Sequence, residues 1–429
     1  AQYPRFRAVS DGRVTLEELQ ASLGTDEGYL KLATLEGAIF AVFATADSAR
    51  AYRLDIDPEA LEEEVDALRA TIAYVEGGQT LTFPFDIERS RALYRSLFDP
   101  VDDQLASLRH LVFEPDGAML RLPANLLVRD DDSVDRYIER ITQGGDEYDF
   151  TGTNWLGRAV RISTAVSPSA FRDARNAPRS SAQHEYIGFG ENTPLTEARG
   201  TTGTRSALAG GADCLWAPSI WDYPIRADEL YTAARSLGAA GAEERILTGD
   251  RFTDTAVSAM KNLDEYRILH FATHGLVTAP QPECPPRPAL LTSFGDAQSD
   301  GLLSFAEIFD LEIDADLVIL SACDTAGAAT LGASLEAGVA GGGFALDGLV
   351  RAFVGAGGRT VIASHWPVPD DYDATSRLVD GFFAADRGAE LAEAMRRSQQ
   401  ALMDDSDTSH PFYWAAFAIV GDGAAPLHK

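Results

Sequence analysis

From about residue 225 onward, short apolar runs alternate with helical patterns, the rhythm of a parallel sheet with right-handed crossovers. RADELYTAARSLGA (226–239) predicts a helix, RILTG (245–249) a short strand, and FTDTAVSAMKNLDEY (252–266) a helix capped by Thr or Asp. RILHFA and DLVILSA follow, rich in Ile, Leu and Val without alternation, and predict strands buried on both faces. Between them lie a Pro-rich loop (279–288), the LLTS run and SFAEIFDLEI (304–313). A Gly/Ala-rich passage (326–343), a helix near 345–355 and the strand RTVIAS (359–364) come next. A helix pair near 372–402 and a last strand, WAAFAIV (414–420), close the pattern.

The first half is patterned differently. YLKLATLEGAIFAVFA (29–44) predicts two strands around a Leu-Glu-Gly turn, and ARAYRLDI (49–56) predicts a third. DPEALEEEVDALRATIAYVE (57–76) predicts a helix with Asp57 as its cap, Pro58 in the first turn and an apolar stripe of Leu61, Val65, Leu68 and Ile72. A second helix is expected over 87–98, then SLRHLVFEPDGAMLRLPA as a strand, a Pro-Asp-Gly turn and a return strand. The stretch 129–155 is acidic and polar. Residues 172–212, rich in Arg, Ser, Gly and Thr, are expected as long loops or an insertion, a lid or exosite. No internal repeat of solenoid length is visible.

Composition narrows the class. The 429 residues are 45% hydrophobic, enough for a large core and two or three domains. No apolar run approaches the length of a spanning helix, and no basic segment followed by an apolar one marks a signal peptide at the start. A net charge of −30 disfavours direct binding to nucleic acid or to an anionic membrane. Lys31, Lys261 and Lys429 are the only lysines. Heavy Asp and Glu with almost no Lys suits work in high salt, where screening suppresses self-repulsion. An Arg-favouring genome is the alternative, and it accounts for the Lys deficit better than for the acid excess. Cys214, Cys284 and Cys323 form neither a disulfide framework nor a close-spaced metal set. A reduced, cytoplasmic setting with no cofactor is expected.

Two motifs carry chemistry. HFATHG (270–275) and LVILSACDTAG (317–327) put His274 and Cys323 just past the carboxyl ends of two buried strands, the edge where open α/β sheets gather ligands. A thiol beside an imidazole is a cysteine nucleophile with its general base. Cys323 lies 49 residues after His274, close to the spacing of about 50 in caspases. Set against this, a cysteine ending an apolar strand is commonly a small buried hydrophobe. His270 and His274 are four apart, but the Glu of a His-Glu-x-x-His zinc motif is missing and the segment reads as a strand. No metal is expected, and His270 is read as packed in the core or backing the site.

HFATHG, LSACDTAG, GLVRAFVGAGGRTVIASHWPV and HPFYWAAFAIVGDG (410–423) occur in order over about 150 residues, and together they resemble the CHAT family of caspase-like proteins. HLVFEPDGAMLRLPANLL (110–127) and WLGRAVRISTAVSPSAF (155–171) extend the resemblance over most of the chain. It implies an α/β fold with a caspase-like, mostly parallel sheet flanked by helices. Residues 221–429 would be the catalytic domain, and 1–220 a smaller α/β support or pseudo-protease region. It further implies a His274–Cys323 dyad, with the amides of Gly275 and Cys323 as the oxyanion hole. Gly275, lacking a side chain, allows close backbone approach to a substrate. No third residue to orient His274 is visible. Caspases carry a Gln-Ala-Cys signature and an Arg-rich pocket, whereas here the nucleophile stands in Ser321-Ala322-Cys323-Asp324-Thr325, so cleavage after aspartate does not carry over.

Trp366 follows the strand 359–364 and by analogy lines the substrate cleft, with ordinary packing as the alternative. Asp370 and Asp371, next along, are candidates for selecting a basic side chain. His410, Tyr413 and Trp414 belong to the closing block and are read as packing. The function implied is a regulated cysteine endopeptidase acting on a specific protein substrate, with a regulatory protein or activating sensor domain as partner. Two alternatives stay open: a catalytically silent signalling or assembly module, and a thiol hydrolase acting on other amides or esters.

Overall fold

Tyr266–Ala272 and Leu317–Ser321 are buried at every position and pair in parallel, Ile268 beside Leu317 and Ala272 beside Ser321. The structure, a computed structural model, describes residues 13–76, 79–196, 216, 218–238, 241, 243–276, 288–321, 346–366, 371–386 and 388–428. Contacts divide the chain into a middle unit, Asn176–Trp366, and a terminal unit built from Arg13–Arg175 and Pro367–Lys429.

Among its described residues the middle unit has five parallel strands, in chain order His184–Gly190, Ile246–Leu247, Tyr266–Ala272, Leu317–Ser321 and Thr360–Ser364. In space they run second, first, third, fourth, fifth. The chain builds outward from the first strand in one direction, then returns and builds in the other. In such sheets the crevice outside the carboxyl ends of the first and third strands is where ligands gather. Helices Asp228–Leu237, Asp254–Ala259, Phe305–Phe309 and Arg351–Ala356 lie in the successive crossovers, which parallel pairing requires. Buried Arg267 forms ion pairs with Glu185 and Asp316, all three at the amino-terminal edge of the sheet.

The terminal unit has a mixed sheet. Glu27–Leu35, Ala38–Thr45 and Ala49–Arg53 form an antiparallel meander. Glu27–Leu35 then pairs in parallel with His110–Glu114, that strand with Arg161–Thr164, and that one with Phe417–Gly421. Helix Pro58–Ile72 buries Leu61, Val65, Leu68 and Ile72. Asp57 caps it, accepting a hydrogen bond from the Ala60 amide at 2.9 Å. Asp57→Ala is expected to cost about 1 kcal/mol, read as a lower urea midpoint with an unchanged slope. Phe85, Phe150, Trp155 and Trp414 pack around His410 and one another.

Several expected elements differ. The stretch 172–212 holds the end of helix Pro168–Asn176 and the whole strand His184–Gly190, an inner strand of the middle sheet. No return strand follows the Pro-Asp-Gly turn; 3-10 turns Gly117–Arg121 and Ala124–Leu126 stand there instead. The helix expected over 252–266 stops at Ala259, because Met260 turns extended and Tyr266 already opens the next strand. The polar stretch 129–155 contains helix Asp131–Thr142, capped by Asp130. No helix among the described residues is long and apolar enough to cross a membrane.

Candidate active site

His274 stands between the end of Tyr266–Ala272 and a short strand, Gly275–Leu276, of a second, antiparallel sheet with Ala289–Leu291 and Leu302–Ser304. Its backbone is held on both sides. The Thr273 amide donates to the Ser321 carbonyl at 3.3 Å, and the Leu291 amide donates to the His274 carbonyl at 2.9 Å. The Thr273 hydroxyl, buried, donates to the Leu291 carbonyl at 2.6 Å. The chain therefore enters and leaves His274 in fixed directions.

The imidazole is half-buried, with Nε2 2.7 Å from the Tyr223 carbonyl oxygen. A carbonyl only accepts, so Nε2 carries the proton, and in the neutral ring Nδ1 holds the lone pair. Burial lowers the His274 pKa below its usual 6.5, and the hydrogen bond to Tyr223 partly opposes that shift. The neutral ring thus presents its lone pair at Nδ1. Tyr223 supplies this orientation through its main chain, since its own side chain is 75% exposed.

The other expected residues are distributed as follows. Gly275 opens the short strand and pairs with Leu290. Cys323 and Asp370 lie outside the described residues, as do Cys214 and Cys284. The strand that leads to Cys323 is described as far as Ser321, in register with Ala272. Leu320 is in turn beside Ala363, so the next rung sets Ser321 beside Ser364. His274, Cys323 and Trp366 each stand two residues past one of those three positions. Trp366 is buried, at 1% exposure, against His365. Asp371 opens the 3-10 turn Asp371–Asp373 in the terminal unit. His410 and Trp414 are buried within that unit, and Tyr413 packs on Tyr372.

Beneath the strand ends lies a polar cluster. His270 is fully buried, its Nε2 3.0 Å from Glu229 Oε1 and its Nδ1 3.1 Å from the Tyr186 hydroxyl. The Ser321 hydroxyl donates to Glu229 Oε2 at 2.9 Å. Sequence reasoning passed over both Tyr223 and Glu229. A main-chain acceptor leaves no mark in the sequence, and an acid in the first turn of a helix reads as solvated charge favoured by the dipole.

The profile of the CHAT domain matches residues 88–422. Tetratricopeptide repeat protein 28 of Homo sapiens is 26% identical over 238 residues, covering 48% of this chain and 9% of that protein. Its Mus musculus counterpart matches to the same extent, so the chain spans 9% of the length of these curated relatives. Among solved structures, a Saccharomyces cerevisiae separase–securin complex covers 98% of this chain and 31% of that one, at a TM-score of 0.50 and 10% identity. The Arg specific cysteine proteinase gingipain R covers 86% of this chain and 75% of its own, at a TM-score of 0.39 and 10% identity. With its caspase-like α/β sheet and a profile match over most of its length, the chain belongs to the CHAT domain family.

Proposed function

We propose that the protein is a cysteine endopeptidase of the caspase-like CHAT type, hydrolysing peptide bonds in a specific protein substrate through His274 and Cys323. The register of the middle sheet carries the reading: Ala272 and Ser321 are partners, and the base and the nucleophile each follow two residues later. Cys323 gives its proton to His274 Nδ1, and the thiolate attacks the substrate carbonyl. The oxyanion is held by the amides of Gly275 and Cys323, each worth roughly 3 kcal/mol in comparable sites. As the carbon–nitrogen bond breaks, the imidazolium proton passes to the leaving amine. Water, deprotonated by the same nitrogen, then hydrolyses the thioester and returns a proton to the sulfur.

Trp366, Asp370 and Asp371 are the proposed substrate-side residues, Trp366 shaping the cleft wall from within and the two aspartates selecting a basic side chain before the scissile bond. Residues 1–220 support the catalytic part and receive a signal from a regulatory protein or sensor domain. The setting is the cytoplasm, with no cofactor.

The test is labelling of the full chain by peptidyl electrophiles in low and multimolar salt, beside Cys323→Ala and His274→Ala. Adduct mapped to Cys323, and lost in His274→Ala, is the expected result. A peptide panel cleaved only after apolar residues sinks the role of Asp370 and Asp371. Hydrolysis of small esters or amides but of no peptide moves the assignment to another thiol hydrolase. No adduct in any salt leaves two readings, a latent protease awaiting its activator and a silent signalling or assembly module, and moves the search from substrates to partners.

A further inference from the structure

We propose that Glu229 is the positioning residue of the dyad, a carboxylate clamp holding the two strands that lead to His274 and Cys323 in one fixed relation. The inference rests on the dyad reading above. Glu229 is the second residue of helix Asp228–Leu237 and is buried. Its two oxygens are divided between the two strands: Oε1 meets His270 Nε2 at 3.0 Å, and Oε2 accepts from Ser321 at 2.9 Å. His270 lies four residues before His274, and Ser321 two residues before Cys323.

The clamp reaches a third strand. The Tyr186 hydroxyl on His184–Gly190 sits 3.1 Å from His270 Nδ1 and 3.3 Å from the Leu230 carbonyl of the same helix. Gly188 is the register partner of His270, and a Cβ there would come within 3.1 Å of the Tyr186 hydroxyl. The glycine leaves room for the phenol to cross to the histidine.

Packing alone does not call for this arrangement. Apolar residues of matching volume stabilise a core as well as a buried ionic cluster does. Apolar contact is non-directional, whereas hydrogen bonds prescribe distance and angle within narrow limits. A site in which two side chains exchange a proton needs its parts held to about 0.5 Å. One carboxylate bonded to both strands supplies that constraint at the carboxyl edge, on the strands that lead to His274 and Cys323.

The experiment uses the full chain with Glu229→Leu, Glu229→Gln, Ser321→Ala and the Glu229→Leu/Ser321→Ala pair. Three readouts are taken: kcat and KM on the best peptide, the iodoacetamide alkylation rate of Cys323 resolved by mass spectrometry, and the melting temperature. Glu229→Leu is expected to lower kcat by about a hundredfold with KM unchanged, the scale of a misplacement near 1 Å. Ser321→Ala, which loses one tie, falls by about tenfold on the same scale. Glu229→Gln, which keeps one acceptor, lies between them. In the pair, removing Ser321 adds nothing to the loss in kcat, the signature of two residues acting through one link. A merely structural role moves the melting temperature and leaves kcat per folded molecule unchanged, and that result overturns the clamp. If Glu229→Leu does not fold, a Ser321→Ala protein with wild-type kcat overturns it equally. Wild-type Cys323 alkylating like an ordinary thiol overturns the dyad reading itself, whereas a reactive Cys323 indifferent to all four variants overturns only the clamp.

Discussion

His274→Ala is expected to slow acylation of Cys323 by about 10²- to 10⁴-fold, the range in which a positioned general base contributes. The geometry also predicts the pH dependence. Nε2 is committed to the Tyr223 carbonyl, so in the proposed dyad the proton from Cys323 arrives at Nδ1. Burial holds the imidazole pKa below 6.5, so the ring stays a neutral base to lower pH than a free histidine does. The acidic limb of the labelling rate against pH therefore falls below 6.5 in the native protein. In His274→Ala only the thiol remains, and the limb should move toward the intrinsic value of a cysteine, about 8.5. Second-order labelling rates at fixed salt, taken from mild acid to mild base, measure both. An identical limb in the two proteins would assign the base to another group.

The second large effect concerns stability in acid. His410 is 2% exposed. Its Nε2–H donates to the Phe83 carbonyl at 3.0 Å, and its Nδ1 accepts from the Phe412 amide at 3.1 Å. Protonation would put a donor on Nδ1 opposite another donor, within a ring of aromatic side chains. Burial accordingly lowers the His410 pKa to about 4, with the Phe83 hydrogen bond opposing. Because the folded pKa lies below the unfolded one, the unfolded chain binds the proton first. The stabilisation is complete above pH 6.5 and is lost as pH falls toward about 4. Linkage makes this about 3 kcal/mol. Urea unfolding at constant salt should show a steep loss of stability over that window, and His410→Asn should flatten it. An unchanged slope in the variant would assign the acid sensitivity to other groups.

The parts of the fold most legible in the sequence were those in which one physical requirement dominates. A strand buried on both faces needs an unbroken apolar run, and Tyr266–Ala272 and Leu317–Ser321 have one. Helix Pro58–Ile72 advertises its cap, its first turn and its stripe together. His184–Gly190 was hidden because its sequence, HEYIGFG, carries two glycines and a polar start. Those glycines serve tertiary contact: at Gly190 a Cβ would meet the Ala272 carbonyl at 2.4 Å. Where a return strand was expected after the Pro-Asp-Gly turn, the apolar residues Met119, Leu120 and Leu126 are instead buried in two 3-10 turns. At the site, the position of His274 just past the end of its strand was legible because the apolar run before it marks that strand. Its orienting group is a main-chain oxygen fifty-one residues away, which no pattern of residue types encodes.

The terminal unit has a consequence for the order in which the protein is made. Its strand Arg161–Thr164 pairs with Phe417–Gly421, whose residues leave the ribosome more than two hundred positions later. Every strand of the middle sheet emerges before that partner does. The nascent chain therefore has all the parts of the His274 sheet in hand while an inner strand of the other sheet still has an open edge. Open strand edges recruit other chains, and long-range pairings form slowly. A translation product halted near residue 400 would thus keep the middle sheet's strands and present Arg161–Thr164 as an aggregation template, which makes the interval before Phe417–Gly421 emerges the hazardous one.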